Sequence, residues 1–414
     1  MAIEPLLEQA SPAVSNNGSS SKTHVSAPAA QADVVIVGAG LAGSLAALVL
    51  ARQGKRVAII DHHAVFPKEF RCEKLSPRQM ALMRQLDVLD CLSAVTRQFN
   101  EIVVVRGGKS TDIQRQEERG LAYSDMVNGF RNAWPSEVHF IEGRVAEVTT
   151  SPDLQHIKLA DGSTIKARLV ILATGPHDRL PVKLGFERQL IRRTHSFCIG
   201  FNVMPAHGAS FPFQSMTYFG EHAGDRIGYA TFFPMQQSMR VNLFCYHEKH
   251  ATWINAFRYD PAGKLREAMP GITRLLGNFT ITMPVEIRPI DLYKMGNYHR
   301  DGVVLIGDAF RSSCPATGAG VTRLLTDVRQ LCLVHLPVWL ASPGMSAAKI
   351  ARFYDDPSKR KCDCHSDSAA ERGRHLAIDT SPRWRFERAL LFSIGRFAIV
   401  RKLASFWRGH QLMS

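Results

Sequence analysis

Three groups of residues have the types and spacing to do chemistry. The first is Gly38-Ala39-Gly40-Leu41-Ala42-Gly43, followed by Asp61. Gly38 permits a tight turn, Gly40 lets backbone approach a pyrophosphate, and Gly43 allows close packing of helix on strand. A helix starting there offers free N–H groups to phosphate, and Asp61 is placed to accept from a ribose diol. The second group is Gly307-Asp308, with Pro315-Ala316-Thr317-Gly318-Ala319-Gly320 beyond it. It supplies a second carboxylate and a second helix start. A nicotinamide dinucleotide alone needs neither. FAD needs both, because its ribityl chain wants an acceptor and its reduced ring carries negative charge that a helix N-terminus stabilises. The third group is the polar set His195, Tyr218, Tyr229 and Arg240, which could touch a substrate. Cys362-x-Cys364-His365 has metal-ligand types but no second pair at a regular distance, so no metal is expected.

Elements must position these groups. The apolar run Val34–Val37 reads as a parallel strand buried on both faces, followed by a helix through Arg52, a stop at Gly54 and a strand over 56–61. Gly302–Ala309 reads as another buried strand with Asp308 at its tip, and a helix is expected from near Gly320. Between about 186 and 290 short segments alternate. Phe197, Ile199, Phe201 and Val203 share a face, as do Ile227, Tyr229, Thr231 and Phe233, and also Val241, Leu243 and Cys245. The concentration of Phe211, Phe213, Met216, Phe219, Phe232, Phe233 and Met235 there favours an apolar or aromatic substrate, if those rings reach the site. Beyond Pro357 the chain turns basic. Phe386, Leu390, Ile394 and Phe397 fall on one helical face with Arg385, Arg388 and Arg396 opposite, and the phase changes after Gly395. Two short helices are expected, packed on the body or in peripheral contact with a membrane through 381–408.

These segments resemble the FAD-dependent group A monooxygenases, the para-hydroxybenzoate-hydroxylase-like flavoproteins, from about Asp33 to about Leu340. The resemblance implies an α/β fold: a Rossmann-like, glutathione-reductase-like FAD-binding domain, an inserted β-sheet substrate domain and a helical C-terminus. It implies Asp61 on the adenosine ribose, Arg71 of Phe70-Arg71-Cys72 near flavin or pyrophosphate, and the backbone of Val145 on adenine. It further implies Asp308 on the ribityl chain, with Gly318, Ala319 and Gly320 beside the ring. Arg311, Pro315 and Tyr229 would face the reacting edge. The implied reaction inserts one oxygen atom from O2 into a small apolar or aromatic molecule through a flavin C4a-hydroperoxide. Thr174, before Gly175, stands where the family usually carries aspartate, in a motif tied to FAD and to NAD(P)H. The resemblance implies NADH or NADPH as reductant, while Thr174 in place of that aspartate argues against direct reduction and leaves a separate flavin reductase partner as the alternative. Arg311 replaces the family's usual histidine after the glycine–aspartate motif, and its charge is permanent. Related flavoenzymes remain as alternatives: prenyl reductase-like, halogenase-like or partner-protein-modifying. The halogenase reading lacks a Trp-x-Trp-x-Ile-Pro segment.

Composition bounds the rest. The 414 residues suit two or three domains. The expected division is a disordered tail over 1–31, a discontinuous FAD-binding domain over 32–185 and 286–345, a β-rich substrate domain over 186–285, and a basic helical region over 346–414. Lys+Arg 51 against Asp+Glu 37 favours anionic partners without choosing among them, and no basic segment carries the stacking residues of a nucleic-acid groove. The eight cysteines are scattered rather than framed as disulfides, which points to a reducing, cytoplasmic setting. No apolar run is long enough to span a membrane.

Overall fold

The computed structural model describes residues 31–71, 73–206, 210–235, 238–248, 251–282 and 284–393. The expected N-terminal tail, apart from Gln31, and the second C-terminal helix lie outside the described residues. In chain order the strands begin with β1 (Gln31–Val37), β2 (Val57–Asp61), β3 (Lys74–Leu75), β4 (Arg97–Arg106) and β5 (Lys109–Gly120). Then come β6 (His139–Glu142), β7 (Val145–Thr149), β8 (Gln155–Leu159), β9 (Thr164–Leu172) and β10 (Glu187–Pro205). The last are β11 (Ser215–Phe219), β12 (Ile227–Pro234), β13 (Met239–Cys245), β14 (Phe279–Ile281), β15 (Glu286–Gly296) and β16 (Val303–Leu305). They form two sheets.

The first sheet runs β6-β2-β1-β9-β8-β7, with β16 also paired to β9. Its centre is parallel: β1 lies between β2 and β9, in register Val34↔Val57 and Val34↔Leu169. The apolar run explains this, since Val34, Val35 and Ile36 are wholly buried with helices over the sheet. Helix α1 (Leu41–Arg52) returns from β1 to β2. Gly43 permits the return, because a Cβ there would stand 1.8 Å from the Gly38 carbonyl oxygen. The strand tips therefore meet at one edge, where the Gly143 N–H donates to the Asp61 carbonyl at 2.8 Å.

The second sheet runs β14-β10-β13-β12-β11-β4-β5-β3, with β15 on β10. It is broader than the expected 186–285 domain: β3, β4 and β5 come from the segment before, and β15 from the segment after. Its back face carries Ile199, Phe201, Phe232, Val241 and Leu243 against helices Thr252–Tyr259, Pro261–Ala268 and Ile272–Leu276. The front face carries Cys198, Phe244 and Tyr229 in one row and Gly200, Asn242 and Thr231 in the next. One expected face is corrected here. A bulge between Ile227 and Tyr229 turns Ile227 to the back core while Tyr229 stays in front.

Helix Pro357–Ile378 packs across both halves. Lys359 is buried and bonds Asp327 at 2.6 Å, and Asp363 takes the Arg323 guanidinium at 2.8 Å. Helix Pro382–Ser393 follows. Arg388 bridges it to the Leu376 carbonyl at 2.6 Å and to that of Gly220, while Phe386 is 69% and Leu390 47% exposed. Its docking contacts thus come from the face that carries Arg388, not from the Phe386–Leu390 stripe. Among the described residues no helix is long and apolar enough to cross a membrane.

Candidate active site

A cavity of about 750 Å³ opens between the sheets. One wall is the Asp308 loop and the start of helix Ala319–Arg329; the other is the front face of the second sheet. Arg71 and Asp308, 237 residues apart, meet in it at 3.0 Å. Arg71 also holds Glu69 at 2.9 Å, and Glu69 takes Arg288 at 2.6 Å. Arg188 lies 3.7 Å from the centroid of the Tyr293 ring, whose hydroxyl donates to the Asp308 carbonyl. This end sets three arginines against two carboxylates. His177 in its wall has a pKa below the usual histidine value, through burial and then through Arg71, Arg288 and Arg188.

Helix α2 (Pro77–Gln85) fastens the far side of the loop. Its capping box, Ser76 with Gln79, leaves the Gln79 amide to donate to the Gly318 carbonyl at 2.9 Å. Gly318 has φ +63°, where a side chain is strained, and a Cβ there would meet nothing within 4 Å. Behind the loop the Gly307 N–H donates to Asp327 at 2.9 Å, and Arg323 holds the Ser312 carbonyl at 2.8 Å.

The Asp61 edge of the first sheet lies outside this cavity. Asp61 accepts from the Ala39 N–H at 2.7 Å and the His63 N–H at 2.9 Å. It therefore shapes the glycine turn. Arg131 of helix α3 (Tyr123–Asn132) donates twice to the Ala39 carbonyl, at 2.9 and 2.6 Å. No local pattern marks Arg131 for this; the partner lies 92 residues away. Val145 opens β7 three residues after Glu142, which pairs with Asp61 in register.

The residues present fit a flavin dinucleotide. A Cβ on Gly40 would find only Phe66, at 3.9 Å, and one on Gly175 would find nothing within 4 Å, so both glycines border open space. Thr174 Oγ1 is buried without a protein partner. Gly38 and Gly43, by contrast, are needed for packing within the protein, with Cβ positions 2.7 and 1.8 Å from carbonyl oxygens.

Several expectations meet a different outcome. Arg311 does not line the cavity; it turns to the long helix and pairs with Asp367. Tyr218 is buried on the back face, its hydroxyl 2.5 Å from Glu221. His195 is wholly buried with neither ring nitrogen in a well-formed hydrogen bond. Phe232 and Met216 belong to the back core, Phe211 and Phe213 pack against it, and Phe233 sits in a small separate cluster, so the aromatic concentration is sheet core. Pro315 and Tyr229 do line the cavity. The Tyr229 hydroxyl donates to the Ala316 carbonyl at 2.6 Å, and burial pushes its pKa up. Cys362 and His365 reach the same cavity, Cys362 beside Thr326 Oγ1 at 3.6 Å.

Residues not anticipated form the floor, Glu73, Glu118, Thr217 and Asn242, beside Thr231 of the strand expected there. Arg240 lies beneath it, bonding Glu73 at 2.7 Å, Glu286 at 2.9 Å and Asn202 at 3.1 Å. Burial raises the Glu73 pKa and Arg240 opposes that rise.

Known proteins share this arrangement. A family model described as FAD binding domain matches residues 31–334. The chain is 31% identical over 356 residues to squalene epoxidase 6 of Arabidopsis thaliana, covering 78% of this chain and 66% of that protein. It is 23% identical over 330 residues to squalene monooxygenase of Rattus norvegicus, covering 72% and 53%. It thus spans less than two thirds of the length of these curated relatives. The fold is similar to that of p-nitrophenol 4-monooxygenase PnpA from Pseudomonas putida, with a TM-score of 0.71 at 16% identity over 91% of this chain and 98% of that one. With three quarters of its length on that family model and its strands in that fold, the chain belongs to the para-hydroxybenzoate-hydroxylase-like group A flavoprotein monooxygenases.

Proposed function

We propose that this flavoenzyme transfers one oxygen atom from O2 to a small organic molecule with an aromatic or otherwise electron-rich body, bound between the Asp308 loop and the front face of the second sheet. The observation that carries the reading is the single cavity in which Arg71, Asp308 and Gly318–Gly320 face Phe70, Tyr229 and Phe244. Bound FAD would supply the oxygen-activating chemistry once reduced. Gly38, Gly40, Gly43, Asp61 and Val145 would hold its adenosine half. Arg71, Thr174, Gly175 and Asp308 would hold its centre. The N–H groups at Gly318, Ala319 and Gly320 would offset negative charge on the reduced ring. Pro315 and the aromatic row would exclude water from the reacting edge. Tyr229, its hydroxyl committed to Ala316 and its pKa raised, shapes the pocket rather than moving a proton.

For the reductant, NADH or NADPH is the first reading, and Thr174 supports a separate flavin reductase as the second. Anaerobic mixing of FAD-loaded protein with each nicotinamide separates them: rapid loss of the yellow flavin absorbance supports direct reduction, and its absence supports a partner. Reaction of the reduced holoenzyme with isotope-labelled O2 then tests oxygen transfer, with label expected in the organic product. Label found solely in water would defeat the monooxygenase reading. The exposed Phe386 and Leu390 also support peripheral membrane contact. Flotation with anionic liposomes should then weaken on truncation before Ser381.

A further inference from the structure

The front face of the second sheet contains an acceptor that nothing in the protein uses. Asn242 is 6% exposed and lines the cavity, and its Oδ1 has no hydrogen-bond partner in the protein. Its orientation follows from its neighbour. Glu73, ion-paired with Arg240 at 2.7 Å, is a carboxylate that can only accept, so the Asn242 amide N–H faces Glu73 and the buried carbonyl oxygen is left without a donor. A buried acceptor without a partner is penalised, so a ligand donor placed there recovers that penalty.

Position makes the acceptor selective. Thr231 lies directly opposite Asn242 on β12, and Gly200 opposite on β10, where Phe70 approaches so closely that a Cβ would stand 2.5 Å from its ring. The aromatic row of Cys198, Phe244 and Tyr229 is two residues along the strands, about 7 Å away. Tyr229 ties that row to Ala316, beside the start of the helix at Ala319. One end of the cavity thus offers apolar rings near the flavin loop, while the other offers Asn242, Glu73, Thr231 and Glu118. Glu118 is neutralised by Lys74 at 2.6 Å. Arg240, the cation nearest Asn242, is already bound to Glu73, Glu286 and Asn202. Beside Asn242 the carboxylate of Glu73, which can only accept, disfavours a second carboxylate.

We propose that Asn242, flanked by Glu73 and Thr231, is a substrate-anchoring subsite that takes a hydrogen-bond donor, a hydroxyl or amino group on a ring-bearing molecule, and rejects a carboxylate. This deepens the monooxygenase reading and rests on it for the identity of the cavity. Its role is to fix which ring carbon lies beside the flavin loop.

The test is equilibrium binding to the oxidised, FAD-loaded protein, read by perturbation of the flavin spectrum. The probes share one shape: naphthol, naphthylamine, naphthalene and naphthoate. Naphthol and naphthylamine should bind about tenfold tighter than naphthalene, and naphthoate weakest. Asn242→Leu should remove most of the naphthol advantage while leaving naphthalene and FAD affinities unchanged. The proposal is overturned if naphthalene or naphthoate matches naphthol on the unaltered protein, if Asn242→Leu keeps the preference, or if that variant chiefly loses FAD. Because no turnover is needed, the preference would survive a failure of the labelled-oxygen test, so the two failures are distinguishable.

Discussion

At the scale of single residues, the site is built from charges that neutralise one another until a ligand arrives. Asp308 to Ala would leave Arg71 with Glu69 alone and remove the acceptor proposed for the ribityl chain. FAD affinity should fall at least about tenfold in a fluorescence titration. His195 makes a different prediction. Burial pulls its pKa down to about 4 from 6.5, so the folded protein resists a proton that the unfolded chain accepts. Stability is unaffected above the unfolded pKa and is lost as pH falls from 6.5 toward 4, by on the order of 3 kcal/mol. Urea midpoints at neutral and acidic pH should therefore converge in His195→Phe. What the sequence could reveal here depended on locality. Asp61 and Asp308 stand at strand tips beside glycine turns, and both are recognisable from neighbouring residues. Arg311 has an equally suggestive neighbourhood, yet Asp367, 56 residues on, captures it. Nothing local announces such a partner.

At the scale of elements, the glycine fingerprint divides into positions that serve packing and positions that serve a ligand. Gly43→Ala drives a methyl into the Gly38 carbonyl and should cost about 3 kcal/mol or more, lowering Tm even without FAD. Gly40→Ala has φ −69° and only Phe66 nearby, so the apo Tm should hold while FAD binding collapses. A reversed result would place the pyrophosphate elsewhere. The strand–turn–helix unit was readable because every part of it is contiguous. The faces of the second sheet were not. Alternation reveals that a strand has two sides, but the helices at 252–276 decide which side is core, and the bulge at Ile227–Tyr229 inverts the order within one strand. That is why Phe201 and Phe232 fell behind the sheet and Asn242 in front.

At the scale of the whole molecule, the long helix at 357–378 is the fastening. Lys359 is the buried cation for Asp327, which in turn holds the Gly307 N–H. Lys359→Met would strand a buried carboxylate and should lower stability by about 3 kcal/mol or more, with loss of retained FAD on gel filtration. Composition and motif identified the two-sheet flavoprotein plan, but not this dependence of the Asp308 loop on a helix distant in sequence. The same arrangement bears on biosynthesis. Both carboxylate-tipped strands leave the ribosome well before Lys359 and Asp363 do, and until those emerge Asp327 and Arg323 lack their partners. Firm cofactor retention should therefore await the long helix, and a nascent chain stalled short of residue 357 should emerge colourless.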